Sequence, residues 1–348
     1  MVLPTSSTRS FSILVSFAFV PLWRVTKVLT SLGDVDNVSF VVGPIVEGEV
    51  KPFIKVLSSG ILFRYLPKDL RCVEEEVKLV RRVAPNVPVF LHMFVSSPSF
   101  AERVLRSLGS EVDGLLLEVG AVVKKLQSVY LMREVLEVIS DVCKVPTAIF
   151  IPSPISYSLN EVADVVRDVP TDFLVCFSRP CCSGFLLDSE AFLELNLSVM
   201  SRIFLERFDC TYIACGGVTD SVSMVKYFLS GFNAVMLDTV FLVKSLGDVI
   251  DLIRYGAVLC SRLSSVKPSE YRRRFLLSSS RVTSGVRPCV VVEYCRGCGI
   301  CSVVCPERCI TLVNDVAHID HDRCSACLLC VSACPFSAIT LMKSCEVR

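Results

Sequence analysis

The chain contains the stretch Cys295-Arg-Gly-Cys-Gly-Ile-Cys-Ser-Val-Val-Cys305-Pro306 and, 29 residues later, the matching stretch Cys324-Ser-Ala-Cys-Leu-Leu-Cys-Val-Ser-Ala-Cys334-Pro335. Both follow the pattern C-x2-C-x2-C-x3-C-P. In this pattern three thiolates bind one [4Fe–4S] cluster, while the fourth cysteine, beside the proline, binds the neighbouring cluster. The spacing therefore predicts two [4Fe–4S] clusters whose ligand sets exchange one cysteine each.

The flanking residues repeat with the cysteines, because Ile310-Thr-Leu recurs as Ile339-Thr-Leu at the same offset. Repetition at a fixed period indicates two copies of one structural unit. The predicted ligands of the first cluster are Cys295, Cys298, Cys301 and Cys334, and those of the second are Cys324, Cys327, Cys330 and Cys305. Zinc ribbons and disulfides are the alternatives. Zinc requires one set of four ligands without this rhythm, and disulfides belong to oxidising compartments.

Residues 288–341 resemble the dicluster ferredoxin family through these two motifs. The 29-residue offset aligns Cys309 with Ala338, so Cys309 is predicted to be a small packing residue. The resemblance implies single-electron transfer with a redox protein or another electron carrier.

Composition limits the remaining possibilities. The chain has 348 residues and a net charge of +1, which favours no nucleic-acid partner. Its longest uncharged stretch, Ser10 to Trp23, has 14 residues and contains a proline, so it predicts a buried first strand rather than a membrane span or a signal peptide. Of the 19 cysteines, eight are scattered before residue 289, mostly beside apolar residues. A reducing cytoplasm is predicted for such a chain.

Strand-like apolar segments alternate with helical periodicity along the first two thirds of the chain. The predicted strands are Ile13–Val20, Val38–Ile45, Val87–Val95, Gly114–Val119, Thr147–Ile151, Phe173–Phe177, Tyr212–Ala214 and Ala234–Leu237. The predicted helices include Val73–Val83, Phe100–Leu108, Leu131–Val142, Leu159–Arg167 and Ser221–Leu229. Eight strand–helix units predict an α/β fold, a (βα)8 TIM barrel followed by a small α+β dicluster ferredoxin domain, with a doubly wound sheet as the alternative.

The predicted domains are a barrel over residues 1–261, a linker over 262–287 and the ferredoxin domain over 288–348. The linker is rich in Ser, Arg and Pro, which predicts an exposed connection with one short helix. Its run Tyr271-Arg-Arg-Arg is interpreted either as a solvated helix face or as a docking site for an acidic electron-transfer partner.

The motif Cys215-Gly-Gly-Val-Thr-Asp220 links the seventh predicted strand to the following helix. Glycines at a strand exit let the backbone approach a ligand, and the helix start offers free N–H groups to a phosphate. Barrels often place a phosphate after strands seven and eight. Gly216 and Gly217 are therefore candidate phosphate-binding residues, with a tight turn as the alternative.

The stretch Tyr212-Ile-Ala-Cys-Gly-Gly-Val-Thr-Asp-Ser221 resembles the GG(I/V) loop of the dihydroorotate dehydrogenase family, and Gly231 to Val240 resembles that family's next strand. The related dihydropyrimidine dehydrogenases carry such a barrel directly before a dicluster ferredoxin segment. The resemblance implies FMN at the barrel mouth, with Gly216, Gly217 and Thr239 near its phosphate. It also implies a flavin-dependent oxidoreductase acting on CH–CH bonds of a small molecule.

Several strand ends depart from that family's pattern. Glu118 and Ser178 stand where the family has asparagines, Phe150 replaces a lysine, and Asp238 replaces a glycine beside the phosphate. In the loop that carries the family's catalytic base, Ser128 is the candidate, and no neighbour in the sequence would activate it. Flavin binding, the catalytic residues and the substrate stay open at this point.

Two functions are compatible with the sequence. In the first, the clusters carry electrons to or from a flavin-dependent barrel. In the second, the chain is the electron-transfer subunit of a larger complex, with a barrel that has lost flavin and catalysis. The oligomeric state stays open in both.

Overall fold

The structure is a computed structural model of the chain. It describes residues 11–46, 53–57, 60–64, 68–95, 97–118, 136–139, 141–142, 145–151, 159–168, 171, 173–176, 181–182, 185–279, 287–305, 308–324 and 329–342. In these ranges, no helix is long and apolar enough to cross a membrane.

Eight parallel strands close into a barrel, which confirms the predicted fold class. In chain order they are β1 (Ser12–Ser16), β2 (Val38–Val46), β5 (Val89–Phe94), β6 (Gly114–Glu118), β7 (Thr147–Ile151), β8 (Phe173–Cys176), β11 (Thr211–Cys215) and β12 (Ala234–Leu237). Each strand pairs with its sequence neighbours in the barrel, and β12 closes it on β1. The strands are buried on both faces, which explains their nearly continuous Val, Ile and Leu sequences.

Helices pack around the barrel and bury an apolar face against its outside. They are α1 (Leu22–Leu32), α2 (Leu70–Val83), α3 (Pro98–Leu108), α4 (Leu159–Asp168), α5 (Glu190–Glu206), α6 (Ser221–Leu229), α7 (Val240–Val243) and α8 (Leu246–Leu263). The predicted helix Leu131–Val142 lies partly outside the described residues, and 136–139 and 141–142 are helical. Helix α6 begins with a capping box, in which Asp220 accepts from the Ser223 N–H and the Ser223 hydroxyl accepts from the Asp220 N–H.

A second sheet, which the sequence analysis did not predict, lies beyond the carboxyl ends of the barrel strands. It has the order β3 (Phe53–Leu57), β4 (Gly60–Arg64), β10 (Phe185–Asp188) and β9 (Cys181–Cys182). The hairpin β3–β4 follows β2, and the hairpin β9–β10 follows β8. Phe63 and Leu186 pack against Phe19 and Phe94 above the barrel. All five residues of β3 are exposed, so this strand lacks the buried pattern that marks a strand in a sequence.

The carboxyl-terminal unit is built from two small antiparallel strand pairs and two short helices. Its elements are β13 (Arg287–Val290), a 3-10 turn (Val292–Tyr294), α10 (Ile300–Val304), β14 (Ile310–Val313), β15 (Val316–Ile319), α11 (Leu329–Ala333) and β16 (Ile339–Met342). Strand β13 pairs with β16, and β14 pairs with β15. The sheets therefore connect the two copies of the 29-residue repeat.

Helix α9 (Pro268–Ser279) joins this unit to the barrel. Arg272 is fully buried on it and donates hydrogen bonds to the backbone oxygens of Cys210 and Gly231 and to Asn233 Oδ1 at 2.8–3.0 Å. Its guanidinium lies 4.7 Å from the Phe204 ring centroid and 4.6 Å from that of Tyr212. The arginine run of the linker therefore supplies one side chain to a packed interface, which the two sequence interpretations did not include.

Candidate functional site

Four of the predicted ligands, Cys295, Cys298, Cys301 and Cys334, line one cavity. Cys295 follows the 3-10 turn, Cys301 lies on α10 and Cys334 follows α11. Gly297, at φ +61°, lies between two of these cysteines, and a Cβ there would approach the Asp315 backbone oxygen to 2.6 Å. A side chain at this position is therefore both strained and crowded, and glycine lets the chain wrap tightly around the cavity.

Backbone N–H groups point at the sulfur atoms of this site. Ala317 N lies 3.5 Å from Cys295 Sγ, and Ala338 N lies 3.2 Å from Cys334 Sγ. Donors of this kind stabilise a thiolate and the negative charge of an iron–sulfur cluster. The donor set of four thiols with inward N–H groups therefore fits a [4Fe–4S] cluster.

Burial shapes the acid–base behaviour of these thiols. Burial raises the pKa of Cys301 to about 11 and also raises the pKa of Cys298, because a thiolate is poorly solvated there. The bare thiols of Cys298 and Cys301 are thus protonated at neutral pH, and a metal must displace their protons. Across the described part of the chain, no three His, Cys, Asp or Glu side chains converge tightly enough to hold a single metal ion.

The second predicted ligand set is described in part. Cys305, Cys324 and Cys330 lie in the same small core, while Cys327 lies outside the described residues. Cys309 N lies 3.4 Å from Cys305 Sγ, the counterpart of the Ala338 contact. The Cys309 Sγ itself lies 3.3 Å from Cys305 Sγ, so this residue contacts a predicted ligand as well as packing.

The thiol cavity adjoins the amino-terminal end of the barrel. Tyr271 on α9 lies close enough to Cys334 and Cys298 for these thiols to act on its phenol, whose pKa burial raises to about 12. The next residue, Arg272, donates to the backbone oxygens of Cys210 and Gly231, which lie shortly before β11 and β12. Helix α9 also packs on α6 and α11. The cavity is therefore near the end of the barrel opposite the glycine motif.

A pocket of about 450 Å³ lies at the carboxyl end of the barrel, between the β3–β4 hairpin and the loops that follow β11 and β12. Gly217 and Thr239 line it, as do Asp188, Asp220 and Lys244. The structure thus brings the predicted phosphate-binding loops to one pocket, as their place after the last two strands predicts.

Asp188, at the end of β10, accepts the hydrogen bonds that a phosphate in this pocket would need. Its Oδ1 accepts from Gly217 N at 2.8 Å, and its Oδ2 accepts from Thr239 Oγ1 at 2.6 Å. The side chain of Asp188 also lies 3.4 Å from where a Gly216 Cβ would stand. Asp238 is buried beside this contact and accepts from Thr239 N at 2.6 Å. A phosphate here would meet two carboxylates at close range, so these residues do not fit the phosphate of FMN.

The remaining strand ends carry buried polar pairs. His92 Nε2 lies 3.3 Å from Glu118 Oε2, and the His92 ring stacks on Phe150 with centroids 5.1 Å apart. Near β1 and β2, Lys68 pairs with the fully buried Glu76 and donates to the Phe17 backbone oxygen at 2.6 Å. Burial raises the pKa of Glu76, and the Lys68 ammonium opposes that rise. Each buried carboxylate therefore contacts a nitrogen of a neighbouring side chain.

Two earlier candidates, Ser128 and Ser178, lie outside the described residues. Sequence reasoning missed Asp188, although an aspartate at the end of a Phe-Leu-Leu run was a visible signal. It also missed Lys68 and Arg272, since neither lies on a barrel strand.

Comparison with known proteins agrees with both parts of the chain. Residues 317–340 match the family model of the 4Fe–4S binding domain. The crystal structure of DHODH (dihydroorotate dehydrogenase) from Eimeria tenella in complex with ferulenol superposes with a TM-score of 0.52 at 15% identity, covering 67% of this chain and 77% of that one. No curated protein matches the sequence. The chain is thus a DHODH-like barrel joined to a 4Fe–4S domain, and the low identity shows the fold alone.

Proposed function

We propose that this chain, a DHODH-like barrel joined to a 4Fe–4S domain, is an electron-transfer protein with two [4Fe–4S] clusters and no FMN at the glycine motif. The clusters would be held by the two predicted sets of four cysteines. The observation that carries the first part is the cavity lined by Cys295, Cys298, Cys301 and Cys334. The proposed lack of FMN is supported by Asp188, whose carboxylate accepts the hydrogen bonds of Gly217 N and Thr239 Oγ1.

The clusters, when bound, supply the exchange of single electrons with a redox partner. The chain's own residues hold and tune them. Thiolates at the C-x2-C-x2-C spacing bind the irons, and the N–H groups of Ala317, Ala338 and Cys309 offset the negative charge on sulfur. The two short helices and the surrounding apolar side chains limit the access of water.

The placement of the thiol cavity supports a carrier more than a coupled flavin enzyme. The cavity adjoins α9 at the amino-terminal end of the barrel, whereas the pocket beside Thr239 lies at the carboxyl end. The residues from Asn233 to Thr239 bridge these two ends. At about 3.3 Å per residue, this stretch spans roughly 20 Å. We therefore propose that electrons enter and leave through a redox protein docked on the 4Fe–4S unit, in a reducing cytoplasm.

A flavin-dependent oxidoreductase acting on CH–CH bonds is the second candidate. It is favoured by the pocket of about 450 Å³ at the carboxyl end of a DHODH-like barrel. In that case the flavin must bind through contacts other than the Gly217 and Thr239 donors.

Anaerobic purification followed by iron, sulfide and flavin analysis separates the two candidates. The proposal expects about eight irons per chain and no flavin released on denaturation, even after incubation with FMN. About one bound flavin per chain would refute the proposed electron-transfer protein and support the flavin-dependent oxidoreductase. An iron content near zero with bound zinc would refute both.

A further inference from the structure

The two copies of the 29-residue repeat in the 4Fe–4S unit are related by an internal pseudo-two-fold symmetry. Pro288 pairs with Leu341 in one sheet, and Ala317 pairs with Leu312 in the other. Each residue of the second pair is the 29-residue counterpart of a residue in the first, with the roles of the two copies exchanged. All four positions of each strand pair obey the same rule. The repeat seen in the sequence is thus a symmetry of the backbone.

Hydrogen bonds follow the same symmetry. The Val291 N–H donates to the Ala338 oxygen at 2.7 Å, and its counterpart, the Asp320 N–H, donates to the Cys309 oxygen at 2.7 Å. The bond from Cys309 N to Cys305 Sγ likewise matches the bond from Ala338 N to Cys334 Sγ. Because backbone groups repeat this closely, a chemical difference between matched positions acts on one ligand set and not on the other.

One matched pair differs in this way. Ala317 N lies 3.5 Å from Cys295 Sγ in the first set. The residues that correspond to Ala317 and Cys295 by this symmetry are Pro288 and Cys324, and Cys324 is a predicted ligand of the second set. Proline has no N–H, so this backbone donor does not exist at the second site, whatever other contacts Cys324 makes.

We propose that Ala317 and Pro288 give the two clusters different reduction potentials, each residue acting on one cluster; this inference rests on the two clusters proposed above. Reduction adds a negative charge to a cluster, and a hydrogen bond to sulfur stabilises that charge. Ala317 raises the potential of the cluster in the Cys295 set. Pro288 withholds the same donor from the cluster in the Cys324 set, which is the harder one to reduce.

A second difference near the sulfurs is Cys309, because its counterpart is Ala338. Its thiol lies 3.3 Å from the Sγ of Cys305, which is a predicted ligand of the second set. A thiol is a weak donor and compensates only in part for a backbone N–H. Removal of this thiol by Cys309→Ala lowers the potential of the second cluster further and keeps the order of the two potentials.

The experiment is a redox titration of the whole protein followed by electron paramagnetic resonance, with Ala317→Pro and Pro288→Ala as reciprocal variants. The Cys298→Ala variant, which lacks a ligand of the first set, assigns the remaining signal to the second. One such hydrogen bond changes the ratio of reduced to oxidised cluster at fixed potential about tenfold, which is about 59 mV for one electron. Ala317→Pro lowers the first potential by this amount, and Pro288→Ala raises the second.

The inference is overturned if neither variant shifts a potential, or if each shifts both clusters equally, in protein that keeps about eight irons. If Ala317→Pro fails to fold, Pro288→Ala decides alone, since a shift confined to the second cluster supports the inference and no shift refutes it. A wild-type protein with far fewer than eight irons is a different failure, because it removes the proposed clusters themselves.

Discussion

Replacement of Asp188 by alanine tests whether a carboxylate stands where the barrel could otherwise hold a phosphate. Asp188 is buried, and its two oxygens accept from Gly217 N and from Thr239 Oγ1. The alanine variant removes both acceptors and one negative charge. It leaves the glycine loop, whose Gly217 backbone is left-handed at φ +67°, with a donor that points into the pocket.

The cost follows from the two hydrogen bonds. Each hydrogen bond to a charged group is worth about 1.5–3 kcal/mol, so Asp188→Ala is expected to lower the free energy of unfolding by about 3–6 kcal/mol. Asp188→Asn is the matched control, because it keeps the shape and one acceptor oxygen while removing the charge. It is expected to cost about half as much.

The vacated donors should bind an anion. Phosphate at about 100 times its dissociation constant stabilises a protein by about 2.7 kcal/mol. We therefore expect inorganic phosphate to raise the unfolding temperature of Asp188→Ala and not that of the wild-type protein, relative to chloride at equal ionic strength. Equal stabilisation of both proteins, or no stabilisation of the variant, would show that Asp188 does not occupy an anion site.

Three further outcomes are expected. Cys298→Ala should lose about half of the bound iron, whereas Cys309→Ala, beside the second set, should keep about eight irons per chain by colorimetric assay. Arg272→Met should lower the free energy of unfolding in urea by about 3–5 kcal/mol, since it leaves several buried oxygens without their donor; Arg273→Ala, at an exposed ion pair with Glu270, should change it by less than about 0.5 kcal/mol. Iron loading of the metal-free protein should be weaker at lower pH. Burial raises the pKa of Cys301 to about 11, so loading must release a proton that acid conditions restore; loading that does not change between mildly acidic and mildly alkaline buffer would contradict this.

Much of the fold could be predicted because its signals are local. Each barrel strand is a short apolar run such as Gly114–Glu118. Such a strand is buried on both faces, and its apolar composition predicts that burial. The four-stranded sheet above the barrel escaped prediction because β3 is exposed and β9 has two residues. Arg272 escaped because an arginine in a polar linker is usually solvated, and only its neighbours Phe204 and Tyr212 reveal a buried site.

The sequence by itself determined the cysteine spacing and the repeat, because three ligands of each predicted cluster lie within seven residues and need no distant partner. It also determined the alternation of eight strands with helices, since strand periodicity is a property of neighbouring residues, whereas the closure of β12 on β1 was decided by the tertiary structure. Tertiary structure alone decided what the glycine motif binds. Asp188 lies 29 residues from Gly217 and 51 residues from Thr239 in the sequence. Contacts between residues so far apart cannot be predicted from local sequence patterns. Whether an N–H faces a given sulfur was likewise decided by the pairing of strands, so Pro288 lacks the N–H that Ala317 offers at the matched position.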